Sequence, residues 1–181
     1  VVNRKVFRIL WNVYNYFVTY ANATENSSQP PLWKRGGAAP ALLQREGGGE
    51  VILPRWILER TQELVNTVTD RLDHYDTVRA SRAIQNYVDD LSTWYLRRSR
   101  GRSDEAFFAT LRDCLLTTAK ILAPFAPFLA EAMYGNLKVS VTSAGDVAEG
   151  FSPPQSVHLT SWPAAKARTK KQEDFLNTYA I

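Results

Sequence analysis

The sequence predicts an all-α protein, an antiparallel bundle of four or five helices with short connections. Apolar residues recur at three- and four-residue steps through most of the chain, which is the period of an α-helix. Prolines, glycines and capping residues interrupt the pattern where helices are expected to begin or end. No internal repeat and no alternation of strand and helix patterns is found, so the sequence does not indicate a parallel α/β fold.

The N-terminal part of the chain is predicted to hold two helices separated by an insertion. The first helix covers residues 3–22, where apolar side chains follow the helical period. Residues 23–50 lose that period and are rich in Gly, Pro and Ser, so we expect a mobile surface insertion. Pro54 opens the second helix, because a missing N–H costs nothing in a first turn. This helix is expected to end near residues 73–75.

The third predicted helix is the longest. Asp76 can cap its start, because a carboxylate accepts hydrogen bonds from the free backbone N–H groups of a first turn. The helix is expected to run to about Arg100, and Gly101 is well placed to end it. About 25 residues at 1.5 Å each would give a rod of roughly 37 Å. Its apolar stripe consists of Ala80, Ile84, Tyr87, Val88, Leu91 and Tyr95.

Two further helices are predicted before the chain becomes irregular. Ser103 can cap the fourth helix, with acidic residues at its positive end. Residues 123–127 break that helix sharply, since proline cannot continue it. Pro127 then opens a short helix that is expected to reach about Leu137.

The C-terminal part is predicted to contain little regular structure. Residues 138–156 are expected to form a loop rich in Ser, Gly and Pro. Residues 157–163 alternate in polarity and are typical of a short extended segment. Residues 1–163 are therefore predicted to form one helical domain. Residues 164–181 would begin a C-terminal linker or a final helix.

Composition limits the classes of protein that the chain can belong to. The 181 residues include 22 basic and 18 acidic side chains, and the net charge of +4 is compatible with nucleic-acid binding. The single cysteine, Cys114, excludes an internal disulfide and a cysteine-based zinc site, and fits a reducing, cytoplasmic setting. No run of about 18 apolar residues occurs, so no membrane span is predicted. Phosphate-binding loops, dinucleotide fingerprints and hydrolase motifs are also missing. We therefore predict no catalytic, cofactor-binding or metal-binding residue.

The candidate RNA-binding residues lie at the end of the third helix. Trp94 and Tyr95 precede four arginines within six residues, and guanidinium groups bind phosphates while aromatic faces stack bases. At about 100° per residue, Arg97 and Arg100 point away from the apolar stripe and are the better candidates for contact with RNA. The full set of predicted RNA-binding residues is Trp94, Arg97, Arg98, Arg100 and Arg102.

The same helical geometry gives the other members of this set different environments. Arg98 follows Leu91 by seven residues, so it is predicted to lie along the bundle seam and to pair with a carboxylate. Arg102 would follow on that seam if the helix continued. Trp94 lies at the edge of the apolar stripe, where one face can pack and the other stays available. The acidic pair Asp89–Asp90 is expected to balance the nearby arginines.

Less specific interpretations of these residues stay open. Cations are favoured at a helix C-terminus by its dipole alone, by about 0.3–1 kcal/mol each. Adjacent tryptophan and tyrosine on an amphipathic helix are more often core residues than a stacking platform. A second basic patch at residues 166–171 is most simply solvated surface. Neither histidine has the spacing of a metal site.

Several segments resemble one family in order along the chain. Residues 88–100, which read VDDLSTWYLRRSR, closely resemble a segment of the helical anticodon-binding domain of isoleucyl-tRNA synthetases. Residues 56–60 (WILER) resemble the start of a helix in that family. Residues 122–131 (LAPFAPFLAE) are similar to a segment shared among related class I synthetases. Residues 156–159 with Trp162 and Pro163 match the segment that closes the domain.

The resemblance implies a tRNA-binding module rather than a complete enzyme. The module would bind the anticodon stem-loop of isoleucine tRNA and position the tRNA for ATP-dependent aminoacylation by N-terminal domains that this sequence does not contain. ATP and magnesium would then be cofactors of the parent enzyme, with none in this fragment. The partners would be isoleucine tRNA and the catalytic and editing domains of the same parent chain. Val1 already lies in a helix-like pattern, which is typical of a fragment of a longer chain.

Two alternatives remain at this point. The chain could be a helical protein–protein interaction module, with Trp94, Trp162 and the 23–50 insertion facing a partner. It could also be the equivalent domain of a valyl- or leucyl-tRNA synthetase, since those enzymes share the bundle. An independent enzyme would need converging catalytic residues, and none is found.

Overall fold

The computed structural model describes residues 4–22, 52–99, 105–138, 156–167, 174–176 and 178. Within these residues there is no β-strand, and the prediction of an all-α fold is confirmed. The α-helices are α1 (Arg4–Asn22), α2 (Ile52–Asp73), α3 (Thr77–Asp89), α4 (Glu105–Leu122) and α5 (Pro127–Lys138). A π-helical segment, Asp90–Leu96, continues α3 without a break, and Val157–Leu159 form a 3-10 turn.

Neighbouring helices pack in antiparallel pairs. Three residues join α2 to α3, and the Thr61 hydroxyl near the middle of α2 lies 2.8 Å from the Tyr87 hydroxyl near the end of α3. A short turn likewise joins α4 to α5, and the Arg112 guanidinium on α4 donates to the backbone carbonyl of Leu137 at 3.3 Å. Short connections therefore produce the antiparallel arrangement that the sequence predicts.

The turn between α2 and α3 contains the predicted cap. The Asp76 carboxylate accepts a hydrogen bond from the Arg79 N–H at 3.0 Å, which satisfies one free donor of the first turn. Tyr75 adopts φ 57°, and the Asp76 N–H reaches back to the Arg71 carbonyl at 2.7 Å. This six-to-one bond is the usual way to close a helix that ends in a left-handed residue. Tyr75 is 93% exposed, so no other residue that the structure describes packs closely against its side chain.

One continuous core fills the space between the five helices. The third helix provides Ile84, Tyr87, Leu91 and Tyr95, each no more than 1% exposed, as its predicted stripe requires. Helix α1 joins through Phe17, whose ring lies 6.3 Å from that of Phe108 on α4. The other large, fully buried side chains are those of Leu10, Ile57, Phe107, Phe108, Leu111, Leu115, Ile121 and Leu122.

The C-terminal segment differs from its predicted conformation. Val157–Leu159 form a 3-10 turn instead of extended chain, because two contacts fix its start. The Ser156 hydroxyl accepts from the His158 N–H, and Glu131 on α5 accepts from both the Ser156 hydroxyl (3.0 Å) and the Val157 N–H (2.9 Å). The prediction of an extended segment at these three residues is therefore wrong.

A strap, residues 161–167, follows this turn and crosses α2 without regular secondary structure. The Asn66 side chain donates to the Lys166 carbonyl at 2.7 Å and accepts from the Lys166 N–H at 3.0 Å. Gln62 donates to the Ala164 carbonyl at 3.1 Å, and the Trp162 indole donates to the Thr69 hydroxyl at 2.8 Å. Of the two predictions for the chain after residue 163, a linker or a final helix, the prediction of a helix that begins at Ala164 is wrong. The strap is irregular because α2 side chains bind its backbone groups. Residues 174–176 are helical.

Other predictions for the loops concern residues outside those described. These are the mobile insertion at 23–50, the loop between Lys138 and Ser156, and the end of the third helix at Gly101. The Ser103 cap of α4 also lies outside the described residues.

A small polar cluster lies inside the core where α2, α3 and α4 meet. The Thr61 hydroxyl lies 2.8 Å from the Tyr87 hydroxyl and 3.4 Å from the Cys114 sulfur. Complete burial raises the pKa of the Cys114 thiol to about 11, despite hydrogen bonding to Thr61 and Tyr87 that lowers it. The predicted core position of this cysteine is confirmed, since it is 0% exposed.

The raised pKa of Cys114 makes stability depend on pH. In the unfolded chain the thiol ionises near pH 9, whereas the buried thiol keeps its proton until about pH 11. The unfolded state therefore binds fewer protons in that range, and the free energy of unfolding is expected to fall as pH rises from 9 to 11. Urea unfolding at several pH values should show a loss of up to about 1.4 kcal/mol per pH unit beyond that of Cys114→Ala. Parallel pH profiles for the two proteins would contradict this.

Candidate nucleic-acid interface

The π-helical segment decides which side chains face out at the end of the third helix. Its wider turns, closed by i to i+5 hydrogen bonds, add about one residue to the helical repeat. The buried positions accordingly become Leu91, Tyr95 and Ser99, and Ser99 is only 1% exposed. Arg98 is exposed, so its predicted place on the bundle seam is wrong. An uninterrupted α-helix would have buried position 98 instead of 99.

Arg98 covers an aromatic pair. Its guanidinium carbon lies 4.7 Å from the centre of the Trp94 ring. The Trp94 ring in turn lies 3.9 Å from the Trp56 ring of α2, with 35° between their planes. Trp94 is only 8% exposed, so the prediction that one of its faces stays available to solvent is wrong. A cation over an indole is a favourable contact, worth about 0.5–1 kcal/mol at an exposed site.

Of the remaining predicted arginines, the structure describes only one. Arg97 is exposed, as the sequence predicts, and so is free of the core. Arg100 and Arg102 lie outside the described residues. In the second basic patch Lys166 is exposed on the strap, whereas the other members fall outside the described residues. Binding of RNA by Trp94, Arg97, Arg98, Arg100 and Arg102 stays a prediction.

Asp90 has a partner that sequence reasoning missed. It accepts hydrogen bonds from Arg60 of α2, one of them from Nε at 3.1 Å, and Arg60 also pairs with Glu63. Burial lowers the pKa of Arg60, but the hydrogen bonds and charges of Asp90 and Glu63 outweigh that effect and raise it. Asp90 therefore ties the start of the π-helical segment to α2, rather than balancing the arginines after it. No local pattern pairs residues that are 30 positions apart.

A second cation lies at the same end of the bundle. The Arg55 guanidinium at the start of α2 lies 4.6 Å from the centre of the Phe175 ring. Leu176 beside it is 6% exposed and belongs to the core. Arg55 directly precedes Trp56 in the chain, so this pair lies at the same end of α2 as the Trp56–Trp94 contact. Sequence reasoning missed Arg55, and its neighbour Trp56 in the WILER segment was the only available signal.

Exposed polar side chains continue away from this end along the third helix. Before the π-helical segment they recur at steps of three and four residues, which places them on one side of α3, and two more exposed polar side chains follow within and after that segment. Their members are Arg79, Arg82, Asn86, Thr93 and Arg97, here called the polar ridge. The Asp76 carboxylate lies 3.4 Å from Arg79, so that end of the ridge is partly neutralised. Helical spacing alone could have identified Arg82, but Arg82 lies outside the cluster of four arginines on which the prediction was based.

Buried polar groups at this end lack partners among the described residues. They are the indole nitrogens of Trp56 and Trp94 and the hydroxyl of Ser99. A buried donor left without an acceptor costs about 1–3 kcal/mol. The described residues contain no group of three metal-binding side chains.

Comparison with known proteins identifies the family of this bundle. Residues 54–180 match the family model described as the anticodon-binding domain of tRNA ligase. The chain belongs to this family. The match begins with Pro54 at the start of α2 and includes the whole third helix, the strap and residues 174–176. The resemblance noted in the sequence is thereby confirmed, as is the assignment as an anticodon-binding domain.

Individual relatives with similar sequences are isoleucine–tRNA ligases. The chain is 41% identical over 171 residues to the isoleucine–tRNA ligase of Deinococcus radiodurans. The aligned region covers 91% of this chain and 14% of that protein. It is 39% identical over 173 residues to the isoleucine–tRNA ligase of Thermus thermophilus, over 90% of this chain and 14% of that protein. The isoleucine–tRNA ligase of Dehalococcoides mccartyi is 38% identical over 182 residues, covering 96% and 16% respectively. The chain thus spans about one-seventh of the length of these relatives.

Membership of this family favours RNA binding over the protein-interaction alternative. An anticodon-binding domain of a tRNA ligase contacts tRNA and belongs to a larger synthetase. In the part of the chain that the structure describes, no helix is both long and apolar enough to cross a membrane.

The contact between Arg60 and Asp90 should contribute measurably to stability. Replacing Asp90 with Ala is expected to lower the free energy of unfolding by about 1 kcal/mol, because Arg60 stays partly buried and loses a partner. Solvent weakens the attraction between the two charges, since the two side chains are 24% and 36% exposed. Urea unfolding of Asp90→Ala, Arg60→Ala and the double variant would give the coupling energy, with Asp89→Ala as the control carboxylate. A coupling energy of zero would show that the contact does not hold the segment.

Proposed function

We propose that this chain is the anticodon-binding part of an isoleucine–tRNA ligase, and that it binds the anticodon stem-loop of isoleucine tRNA. By holding the stem-loop it would position the acceptor end at catalytic and editing domains elsewhere in the same protein. The family match and the identity of 38–41% to isoleucine–tRNA ligases support this assignment. ATP and magnesium would act in the catalytic domain, since no nucleotide-binding motif occurs in this sequence.

The observation that carries the proposal is the exposure of Arg97 beside the Arg98–Trp94 contact. Arg97 and Arg98 are both exposed at the end of the third helix, where a guanidinium can donate two parallel hydrogen bonds to one phosphate. Arg82 lies further along the polar ridge and can reach phosphates of the adjoining stem. From Arg79 to Arg97 the ridge is roughly 27 Å long at 1.5 Å per residue, so it can follow several nucleotides. Phosphate contacts of this kind fix the register of an RNA without reading its bases.

Removing single arginines from the ridge should weaken RNA binding in a salt-dependent way. Arg97→Ala is expected to lower affinity for the anticodon stem-loop about tenfold, because one charge-assisted contact is lost. The slope of log K against log salt should fall by about 0.7–1. Arg82→Ala should reduce the slope by a similar amount. Fluorescence anisotropy with a labelled stem-loop, at several salt concentrations, measures both quantities.

Lys120→Ala is the matched control for this experiment. Lys120 lies in the last turn of α4. The start of α4 packs at the arginine end, where the Phe107 ring lies 5.8 Å from the Tyr95 ring, so Lys120 lies near the opposite end of the bundle. The control removes one positive charge without touching the ridge. Equal losses for Lys120→Ala and Arg97→Ala would show that only net charge matters, and would contradict the assignment of the site.

Specificity for isoleucine tRNA needs a separate comparison. The fragment should bind isoleucine tRNA more tightly than an unrelated tRNA, at both low and moderate salt. Equal affinity for both would mean that recognition resides elsewhere in the parent enzyme. Binding to neither at low salt would contradict the proposed function.

A further inference from the structure

The end of the bundle opposite the arginines exposes large apolar side chains. Among the described residues, seven large hydrophobic side chains are exposed, and five of them lie at this end. They are Tyr75, Val78, Phe128, Leu159 and Trp162, here called the end patch. Tyr75 is 93% exposed, Phe128 90% and Leu159 73%, which are the three highest values of the seven. Apolar groups that gather on one part of a surface indicate an interaction site.

Two helical hairpins contribute to the end patch. Tyr75 lies in the turn that joins α2 to α3, and Val78 is the second residue of α3. Helix α4 starts at the arginine end, where Phe107 packs on Tyr95. The turn from α4 to α5 therefore lies at the far end, and Phe128 is the second residue of α5.

The chain before the strap bridges the two hairpins. It is anchored on α5 by the bond from the Val157 N–H to the Glu131 carboxylate at 2.9 Å. A few residues later, the Trp162 indole donates to Thr69 near the end of α2 at 2.8 Å. Leu159 lies between these two anchor points. The end patch thus runs from one hairpin to the other.

The backbone of Tyr75 is unfavourable for a tyrosine. Its φ of 57° lies in the left-handed region, where glycine or asparagine is usual at the end of a helix. A residue with a Cβ is strained in that region. The exposed ring gains no packing within the described residues that would offset this strain. Contact with a group outside them would account for a tyrosine at this position.

The end patch is presented by rigid elements. The Asp76 N–H binds the Arg71 carbonyl at 2.7 Å and closes the turn that holds Tyr75. Phe128 directly follows Pro127, whose ring fixes its own φ. A preformed apolar surface loses little conformational entropy when it binds a partner.

Charges around the end patch favour protein over RNA as its occupant. Asp70, Asp73 and Asp76 lie around the turn between α2 and α3, and their carboxylates repel phosphates. Two nearby arginines do not reverse this, because Arg71 lies 3.7 Å from Asp70 and Arg79 lies 3.4 Å from Asp76. An apolar centre with a polar rim is the usual composition of a protein–protein interface.

We propose that the end patch is the docking surface for the catalytic domain that precedes α1 in the parent ligase, with Tyr75 and Phe128 as its main anchors. The inference rests on the proposed function and adds to it the surface that connects the bundle to the rest of the enzyme. The bundle would then act as a rigid spacer, with the stem-loop at its arginine end and the catalytic domain at the other.

The course of α1 identifies this occupant. Phe17 near the end of α1 lies against Phe108 at the start of α4, so α1 ends towards the arginines and begins at the end patch. A domain joined to the start of α1 therefore meets the patch first. The chain covers 14% of the Deinococcus and Thermus relatives, so most of an enzyme of that length lies outside it and can supply such a domain.

The first experiment applies hydroxyl-radical footprinting to the whole parent ligase. The bundle alone predicts faster oxidation of Tyr75 than of Tyr20, which is 53% exposed on α1. A docked catalytic domain should reverse this order and protect Phe128 as well, without tRNA and at every dilution. Faster oxidation of Tyr75 would overturn the proposal. Protection that needs tRNA or disappears on dilution would indicate RNA or a second copy, and would also overturn it.

A photo-reactive benzophenone side chain in place of Tyr75 identifies the covering group. In the parent ligase it should cross-link to the catalytic domain, and the same group in place of Tyr20 should not give that product. A cross-link to residues 139–155 of the same chain would show that a local loop covers the patch, and would overturn the proposal.

A double variant tests what docking does for catalysis. Tyr75→Ser combined with Phe128→Ser in the parent ligase should lower kcat/KM for charging isoleucine tRNA about tenfold or more, because a bound stem-loop no longer aligns the tRNA with the catalytic domain. Affinity for the anticodon stem-loop should not change, since the patch lies at the other end. Tyr20→Ser, the control for loss of an exposed aromatic ring, should change neither quantity.

Failure of the docking surface and failure of the proposed function can be told apart. Undiminished charging by the double variant would overturn docking alone. Equal losses of charging and stem-loop affinity would show that the two side chains support the bundle itself, and would overturn docking as well. A parent ligase that does not bind isoleucine tRNA would overturn the proposed function, whatever the oxidation of Tyr75.

Discussion

The π-helical segment between Asp90 and Leu96 sets the arrangement of the whole candidate interface. By adding about one residue to the helical repeat, it places Ser99 in the core and turns Arg98 outward. A regular α-helix of the same sequence would bury a guanidinium at position 98, where burial of a charge is costly unless it is paired. The wider turn avoids that cost by burying a serine hydroxyl instead. Stacking on Trp94 then becomes available to Arg98.

Contacts with α2 hold this wider turn in place. Arg60 binds Asp90 at the first residue of the segment, and Trp56 packs against Trp94 near its end. The ion pair is partly exposed, and we expect it to contribute about 1 kcal/mol. Burial of the two indoles stabilises the segment more, since each ring removes a large apolar area from water. Which side chains of the third helix face the core therefore depends mainly on the tryptophan pair. The ion pair fixes the start of the π-helical segment relative to α2.

Local patterns in the sequence predicted what local physics determines. The Asp76 cap, the helix that begins at Pro127 and the apolar stripe of the third helix are all confirmed, because each depends on residues a few positions apart. The environments of Trp94 and Arg98 were predicted wrongly, because an assumed 100° per residue cannot anticipate a π-helical turn. The contact between Arg60 and Asp90 joins residues far apart in the chain, and the strap depends on Asn66 binding the backbone of Lys166. Neither leaves a signal in one sequence.

The Arg98 guanidinium covers the Trp94 ring and helps to keep this apolar group out of water. A Trp94 ring open to water would add to the exposed apolar surface, and apolar patches promote association with other proteins. A guanidinium over the ring covers that patch while keeping its charge in solvent. An apolar side chain in the same place would itself add to the exposed apolar surface, which gives a physical reason for a charged group on a long stem at position 98.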